Sequence, residues 1–238
     1  MSSLALRILA VTSMLIDHLG FALHGILPEP ITMGMRLAGR LAMPIYCFLI
    51  AEGFFYTRGV ARYAGRLLLF GLISEIPYDI CFSRGKIYVD WSHQNVFFTL
   101  LLGLFAIWLC DHFTKQGQSV LSLISVLACA ALAQLAQTDY GMFGVMLIFV
   151  CYCFRPTPKA RGLAIAIVCV LMGFVSYLIY SSVDMVWAIT LASAAVSVIP
   201  ISLYNGSKGK GGKKLQLAFY AFYPLHLTLI ALLLMSLT

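Results

Sequence analysis

The sequence predicts an all-α, polytopic integral membrane protein of about nine transmembrane helices, with the N-terminus in the cytoplasm. Three observations carry that fold class. Of 238 residues, 61% are hydrophobic and only 11% charged, with a mean hydropathy of +0.94, which no soluble domain with one core approaches. The apolar residues run continuously for lengths that match a hydrocarbon core of ~30 Å, which needs ~20 residues per helix. Lipid leaves only helices or closed barrels as spanning forms, and runs this long choose helices. Lys and Arg, finally, gather in alternate connections.

Clusters of charge, Gly and Pro divide the chain into nine expected spans, near 4–26, 34–56, 62–82, 94–111, 119–137, 140–154, 162–182, 185–204 and 215–236. The first begins after a single charge, Arg7, and ends without a small-residue cleavage site, so it is expected to stay in the membrane. The sixth is short enough to be re-entrant. Before the last lies "NGSKGKGGKK" at 205–214, whose composition reads as a flexible solvated loop. No repeat interrupts the pattern, and residues 1–238 read as one transmembrane domain. The seven cysteines, at 47, 81, 110, 129, 151, 153 and 169, fall mostly inside apolar runs without a Cys-x-x-Cys pair. They read as small hydrophobes rather than metal ligands or disulfides, with Cys151 and Cys153 as alternative acylation sites.

Orientation follows from the basic residues. Even-numbered connections hold eleven: Arg58, Arg62, Arg66, Lys115, Arg155, Lys159, Arg161, Lys208, Lys210, Lys213 and Lys214. Odd-numbered connections and their borders hold four: Arg36, Arg40, Arg84 and Lys86. The asymmetry places the N-terminus inside and Thr238 outside. The formal charge of +7 is then a topology signal in a multi-pass membrane protein, and nucleic acid is not an expected partner.

Charges also occur where lipid penalises them. Asp17, His18, Arg40, Glu52, Glu75, Asp79 and His226 all lie within apolar stretches, where an ionised group costs several kcal/mol unless paired or watered. At a rise of ~1.5 Å per residue His18 lies ~12 Å from the outer end of the first span, and His226 ~15 Å from the outer end of the last. Arg36, Arg40, Glu75, Asp79, Asn95 and Thr99 fall in the same outer layer, and so does Tyr223, one turn before His226. Asp17 and His18 point ~100° apart on a helix, so each needs its own partner. Arg40 is the natural counter-ion for Asp17, which leaves His18 to a hydroxyl, an amide or another carboxylate. The cluster either fastens helices together or forms a reaction centre; two histidines in one layer favour the second.

Near the inner face, "EGFFYTRGVARYAGR" follows Glu52 with Arg58, Arg62 and Arg66, the last two on one helix face. Such a stripe either satisfies the positive-inside rule or clamps the phosphates of a nucleotide-bearing donor.

The segments "IDHLG", "RLAGRLAMPIYCFLIAEGFFYTR", "RLLLFGLISEIPYDICF", "NVFFTLLLG", "TDYGMFGVMLI" and "FYPLHL" together resemble the TraX family, membrane proteins named for acetylation of the conjugative pilin N-terminus. The likeness runs from residue 7 to 227. The first part is also similar to a wider superfamily of membrane acyltransferases, which open with an Arg and, eleven residues on, a catalytic His, as Arg7 and His18 do here. Glu52-Gly53 stands where those proteins have Ser-Gly, a departure typical of the TraX-like branch, and Arg66 and Pro77 match the start and Pro of their next helix.

The resemblance implies acyl transfer, most simply of acetyl from acetyl-CoA, onto an amine or hydroxyl of an envelope acceptor: a protein N-terminus, a glycan or a lipid. His18 would be the general base or, alternatively, a nucleophile. Arg40, Asn95 or His226 would donate to the oxyanion. Asp17 would set charge with Arg40, and Arg58, Arg62 and Arg66, with Glu52, would hold the donor; no metal is implied. Two other classes compete: a proton-coupled transporter using Asp17, His18, Glu75 and Asp79 as a relay, for which no inverted repeat is visible, and a non-catalytic assembly factor for conjugation or secretion.

Overall fold

The computed structural model describes residues 1–87, 92–179, 184–210 and 212–237. Among these, every regular element is helical: α1 (Ser3–Ala22), α2 (Glu29–Gly39), α3 (Ala42–Tyr56), α4 (Val60–Phe82), α5 (Val96–Lys115), α6 (Ser119–Leu135), α7 (Gly141–Cys153), α8 (Pro158–Ile179), α9 (Met185–Ala192), a 3₁₀ turn (Ser193–Ser197), α10 (Val198–Ser202) and α11 (Lys213–Leu237). Each of the nine expected spans contains helix among the described residues. Six stretches among the described residues are long and apolar enough to cross a membrane: Ser3–Ala22, Glu29–Tyr56, Val96–Lys115, Pro158–Ile179, Met185–Ser202 and Lys214–Ser236. That measure does not confirm a count of nine. The helices α6 and α7 are apolar but have 17 and 13 residues, and α4 carries Arg62, Arg66, Glu75 and Asp79. The expected position of Thr238 lies outside the described residues.

Two expected spans are broken, and proline accounts for both breaks. In the second, Pro44 has no N–H for the carbonyl of Arg40 and its ring clashes with that group, so the helix stops at Gly39 and restarts at Ala42. The single helix expected over 34–56 is thus two. In the eighth, Pro200 frees the carbonyl of Val196, and Ser193–Ser197 tightens to a 3₁₀ turn.

Polarity is sorted inside out. Asp17, His18, Arg40, Glu52, Asp79, Asn95, Thr99, Arg161 and His226 are buried, while Leu69, Leu72 and Ile76 of α4 and Leu163, Ile167, Val170, Phe174 and Leu178 of α8 are exposed. A soluble fold does the reverse. Even the charged helix α4 turns its apolar side outward, as a lipid-facing helix must.

Small residues let helices approach closely. A Cβ on Gly39 of α2 would stand 2.2 Å from the Cβ of Asp17 on α1, and one on Gly103 of α5 2.2 Å from Ile148 Cδ1 on α7. The helix α11 packs along α4 and α1, and α1 along α2 and α3. The Gly/Lys loop is tied down at one end: Ser3 N donates to Ser207 O at 2.8 Å and Leu4 N to Lys208 O at 3.2 Å. These contacts bring the starts of α1, α4 and α11 and the end of α3 together at one end of the bundle.

Candidate functional site

The charge pair expected between the first two spans forms, and it is a triad. Asp17 accepts from Arg36 Nη1 at 2.7 Å through Oδ2 and from Arg40 Nη2 through Oδ1. The proline break presents both guanidiniums: Arg36 lies in the last turn of α2, Arg40 sits at the break, and Arg40 Nε donates to Arg36 O at 3.3 Å. Trp187 of α9 covers them, its ring 4.9 Å from the Arg36 guanidinium and 5.7 Å from that of Arg40, and Tyr140 lies 5.9 Å from the latter. Two cations on one carboxylate, Arg40 buried and Arg36 partly so, leave the triad itself one positive charge in excess.

His18 faces the other way. Its partner is neither a hydroxyl nor an amide nor a carboxylate, as the sequence predicted, but a second imidazole: Nδ1 lies 2.7 Å from His226 Nε2. The ring centroids are 5.0 Å apart with 6° between planes, the geometry of coplanar rings joined edge to edge by that bond. The backbone fixes the direction of the bond. His226 Nδ1 is 2.8 Å from the carbonyl of Phe222, which only accepts, so that nitrogen carries hydrogen. In the neutral pair His226 Nε2 is then the acceptor and His18 Nδ1 the donor. His18 Nε2 keeps its lone pair and can take a proton. Edge-on contacts from Phe82 at 5.6 Å and Tyr223 at 6.1 Å hold the ring.

The remaining polar groups of the layer fasten helices. Asn95 caps α5 by accepting from Phe97 N at 3.0 Å, and its Nδ2 donates to Gly71 O at 2.9 Å and to Glu75 Oε2. Thr99 donates its one hydroxyl proton to the carbonyl of Asp139, and its oxygen lies 2.9 Å from Thr138 Oγ1. Asp79 is buried one turn beyond Glu75 on α4.

A cavity of about 690 Å³ occupies the opposite half of the bundle. Its mouth is lined by Arg7, Arg58, Arg62, Arg66 and Lys208, and Glu52 lies on the same wall. Further in, Met14, Leu49, Leu67, Phe97 and Leu100 make it apolar, and it ends against Tyr223. Thus the structure gathers the four residues expected at a donor site, Arg58, Arg62, Arg66 and Glu52, around one space. Of the layer residues singled out in the sequence, Tyr223 alone reaches its wall; His18, Arg40, Asn95 and His226 stand behind.

Several contributors escape sequence reasoning. Arg155, counted as a topology charge, donates through Nε to Glu52 Oε1 at 2.8 Å. Arg161, expected in a loop, is buried in the first turn of α8 with its guanidinium 4.8 Å from the Phe48 ring centre. The buried Glu52 was a signal that a cation must come from somewhere. Lys208 reaches the mouth only because its loop is tied to α1, and Arg7 because α1 forms one wall. Among the described residues no group of three or more His, Cys, Asp or Glu is placed to hold a metal ion. Six cysteines are buried and Cys153 is exposed, all as thiols.

An all-helical membrane protein that buries a histidine pair and an arginine-carboxylate triad beside a basic-mouthed cavity is the class these features define. Residues 2–235 match the TraX protein family, and the chain belongs to it. It is 30% identical over 247 residues to the probable fimbrial assembly protein FimC, serogroup H1, of Dichelobacter nodosus, covering 96% of this chain and 94% of that one. Over 98 residues it is 37% identical to an uncharacterized protein of Rickettsia prowazekii (strain Madrid E), covering 41% of this chain and 33% of that protein. No solved structure matches with significance.

Proposed function

We propose that the chain is a membrane-embedded acyltransferase that moves an acetyl group from cytoplasmic acetyl-CoA to an amine or hydroxyl of an envelope acceptor. The carrying observation is the cavity: five cations at its mouth, an apolar bore, and an inner end at Tyr223 against the His18–His226 pair. A polyanionic head with a slender neutral arm is the ligand that shape and charge suit, and coenzyme A is such a ligand. With the N-terminus in the cytoplasm, the mouth opens to the compartment that holds it.

In this reading the acceptor arrives from the other side of the layer. His18 Nε2 takes its proton as the nucleophile attacks the thioester carbon, and His226 holds His18 in the tautomer that can do so. The tetrahedral intermediate collapses with loss of the CoA thiolate, which recovers the proton from His18. The arginine triad keeps Asp17 from competing for that proton by committing its carboxylate to two guanidiniums.

The test is acetyl-CoA-dependent stabilisation of the detergent-purified protein, followed by transfer of labelled acetyl to envelope fractions. At 100 times its dissociation constant a donor adds ~2.7 kcal/mol to stability, a shift readily seen in a melt. A protein that neither shifts with acetyl-CoA or longer acyl-CoAs nor labels any acceptor is not an acyltransferase. The second reading, an assembly factor for surface fibres, is favoured by the name of the Dichelobacter relative, a probable fimbrial assembly protein. The two are compatible when the acceptor is a fibre subunit.

A further inference from the structure

We propose that the Tyr223 hydroxyl is the hydrogen-bond donor that receives the donor's carbonyl oxygen, both in the bound thioester and in the oxyanion formed from it. This rests on the acyltransferase reading. The argument starts from what the expected oxyanion donors are doing. Both Nδ2 bonds of Asn95 go to Glu75 and to Gly71 O. Both ring nitrogens of His226 are engaged, one by His18 and one by Phe222 O. Arg40 is held on Asp17 and on the Arg36 carbonyl. None of the three lines the cavity.

Tyr223 differs on every count. It lines the cavity's inner end, it is only 4% exposed, and its hydroxyl is buried with no hydrogen-bond partner. The backbone group that interacts with this oxygen is the Val96 amide N–H, which only donates, so the hydroxyl proton is uncommitted. A buried hydroxyl without a partner is costly to the folded protein, and such a group is retained where a ligand completes it. Its ring also stands edge-on to both histidines, centroid separations being 6.1 Å to His18 and 5.5 Å to His226. A carbonyl reaching the end of the cavity therefore meets Tyr223, whose ring stands directly against the histidine pair behind it.

The step balances. The acceptor's nitrogen or oxygen forms a bond to the carbonyl carbon while its proton goes to His18 Nε2. The carbonyl π pair moves to oxygen, which accepts from the Tyr223 O–H; that proton stays on Tyr223. Collapse restores the C=O bond, breaks C–S and releases thiolate, which takes the proton held by His18. A donor placed where charge develops contributes more to the transition state than to ground-state binding.

The test compares wild type with Tyr223→Phe, which deletes one oxygen. Two unreactive CoA probes are titrated: an acetyl-CoA analogue with CH₂ in place of the thioester sulfur, which keeps the carbonyl, and S-ethyl-CoA, which lacks it. Tyr223→Phe is expected to weaken the carbonyl analogue about threefold to tenfold and to leave S-ethyl-CoA unchanged. It should lower kcat for transfer by about 10²–10³, a far larger effect than the threefold to tenfold rise in KM for acetyl-CoA that the lost ground-state contact brings. The ligand-free variant should melt close to wild type, since the hydroxyl proton it lacks has no acceptor in the fold. Equal effects on both probes, or a kcat within threefold of wild type, overturns the assignment of Tyr223 while leaving the acyltransferase reading standing. Failure of wild type to bind either probe overturns both.

Discussion

Asp17 and His18 are neighbours in sequence that serve different helices. Burial of Asp17 between Arg36 and Arg40 makes its charge a structural requirement. Asp17→Asn leaves two guanidiniums, one buried and one partly so, without a counter-charge, a loss of ~3–5 kcal/mol for a broken buried pair, and is expected to lower yield and melting temperature along with activity. His18→Ala removes a buried ring that touches Phe82 and Tyr223 and leaves His226 Nε2 without its partner, so it should melt lower than wild type; the variant should still insert and bind donor, yet lose about 10²–10⁴ in transfer. More than about a tenth of wild-type transfer in that variant makes His18 structural. His226 acts through His18. His226→Gln retains an acceptor oxygen for His18 Nδ1–H and should keep part of kcat, whereas His226→Leu, of similar bulk, should approach the His18→Ala level. Nitrogen-15 NMR of the labelled imidazoles checks the cause, the Nδ1–H tautomer of His18 persisting only in the Gln variant. The Asp17–Arg40 contact was legible because lipid makes every buried charge find a partner. The histidine pair was not, for 208 positions separate its members and only the assembled α1–α11 contact brings them together.

At the scale of elements, the α2–α3 break builds half the polar layer. Pro44 ends the helix register at Gly39, and Gly39 has no Cβ because Asp17 Cβ and Cα lie 2.2 Å and 2.7 Å from where one would stand. Neither atom is the end of a flexible side chain, so Gly39→Ala must push α1 and α2 apart. Overpacking of this kind costs ~1–3 kcal/mol, and because the shift falls on the Asp17 triad, a lower melting temperature should come with lost transfer even though no reacting group changes. Pro44 was visible in the sequence; that it splits one expected span in two depends on Arg40 having Asp17 to bind once its helix stops. The element at the cavity mouth makes a complementary case. Arg62 and Arg66 share one face of α4 and both line the cavity. Arg62→Ala or Arg66→Ala should raise KM for acetyl-CoA about tenfold while kcat changes less, since a phosphate contact far from the reacting carbon binds ground and transition states alike. Lys at either position should restore binding in part, having the charge without the planar fork. Unchanged donor affinity in both Ala variants returns the stripe to a topology role.

For the whole molecule, the direction of the cavity decides whether the chemistry is possible at all. Ion pairs and backbone bonds sort the helix ends into two sets. The Arg155–Glu52 pair and the Ser3–Ser207 bond join the ends that carry eleven of the basic loop residues. At the opposite end Arg84 Nη1 donates to His24 O at 3.4 Å and Asp139 N to Gln94 O at 2.8 Å. The cavity mouth lies in the first set, with Lys208 and Arg58. The basic bias of the sequence therefore predicts both the orientation and the side from which the cavity fills, an expectation that depends on composition alone. The number of crossings was less legible: hydropathy cannot tell a helix of 13 residues within a bundle from a span, and α4 hides an exposed apolar face behind its charges. Cysteine labelling tests the direction. In a Cys153→Ser background, which removes the exposed native thiol, Ile26→Cys and Ser207→Cys place exposed reporters at opposite ends. A membrane-impermeant maleimide added to intact spheroplasts should modify Ile26→Cys and leave Ser207→Cys untouched until the cells are broken. The reverse pattern turns the five cations and their cavity toward a compartment without coenzyme A, and the acyl-CoA reading falls with the orientation.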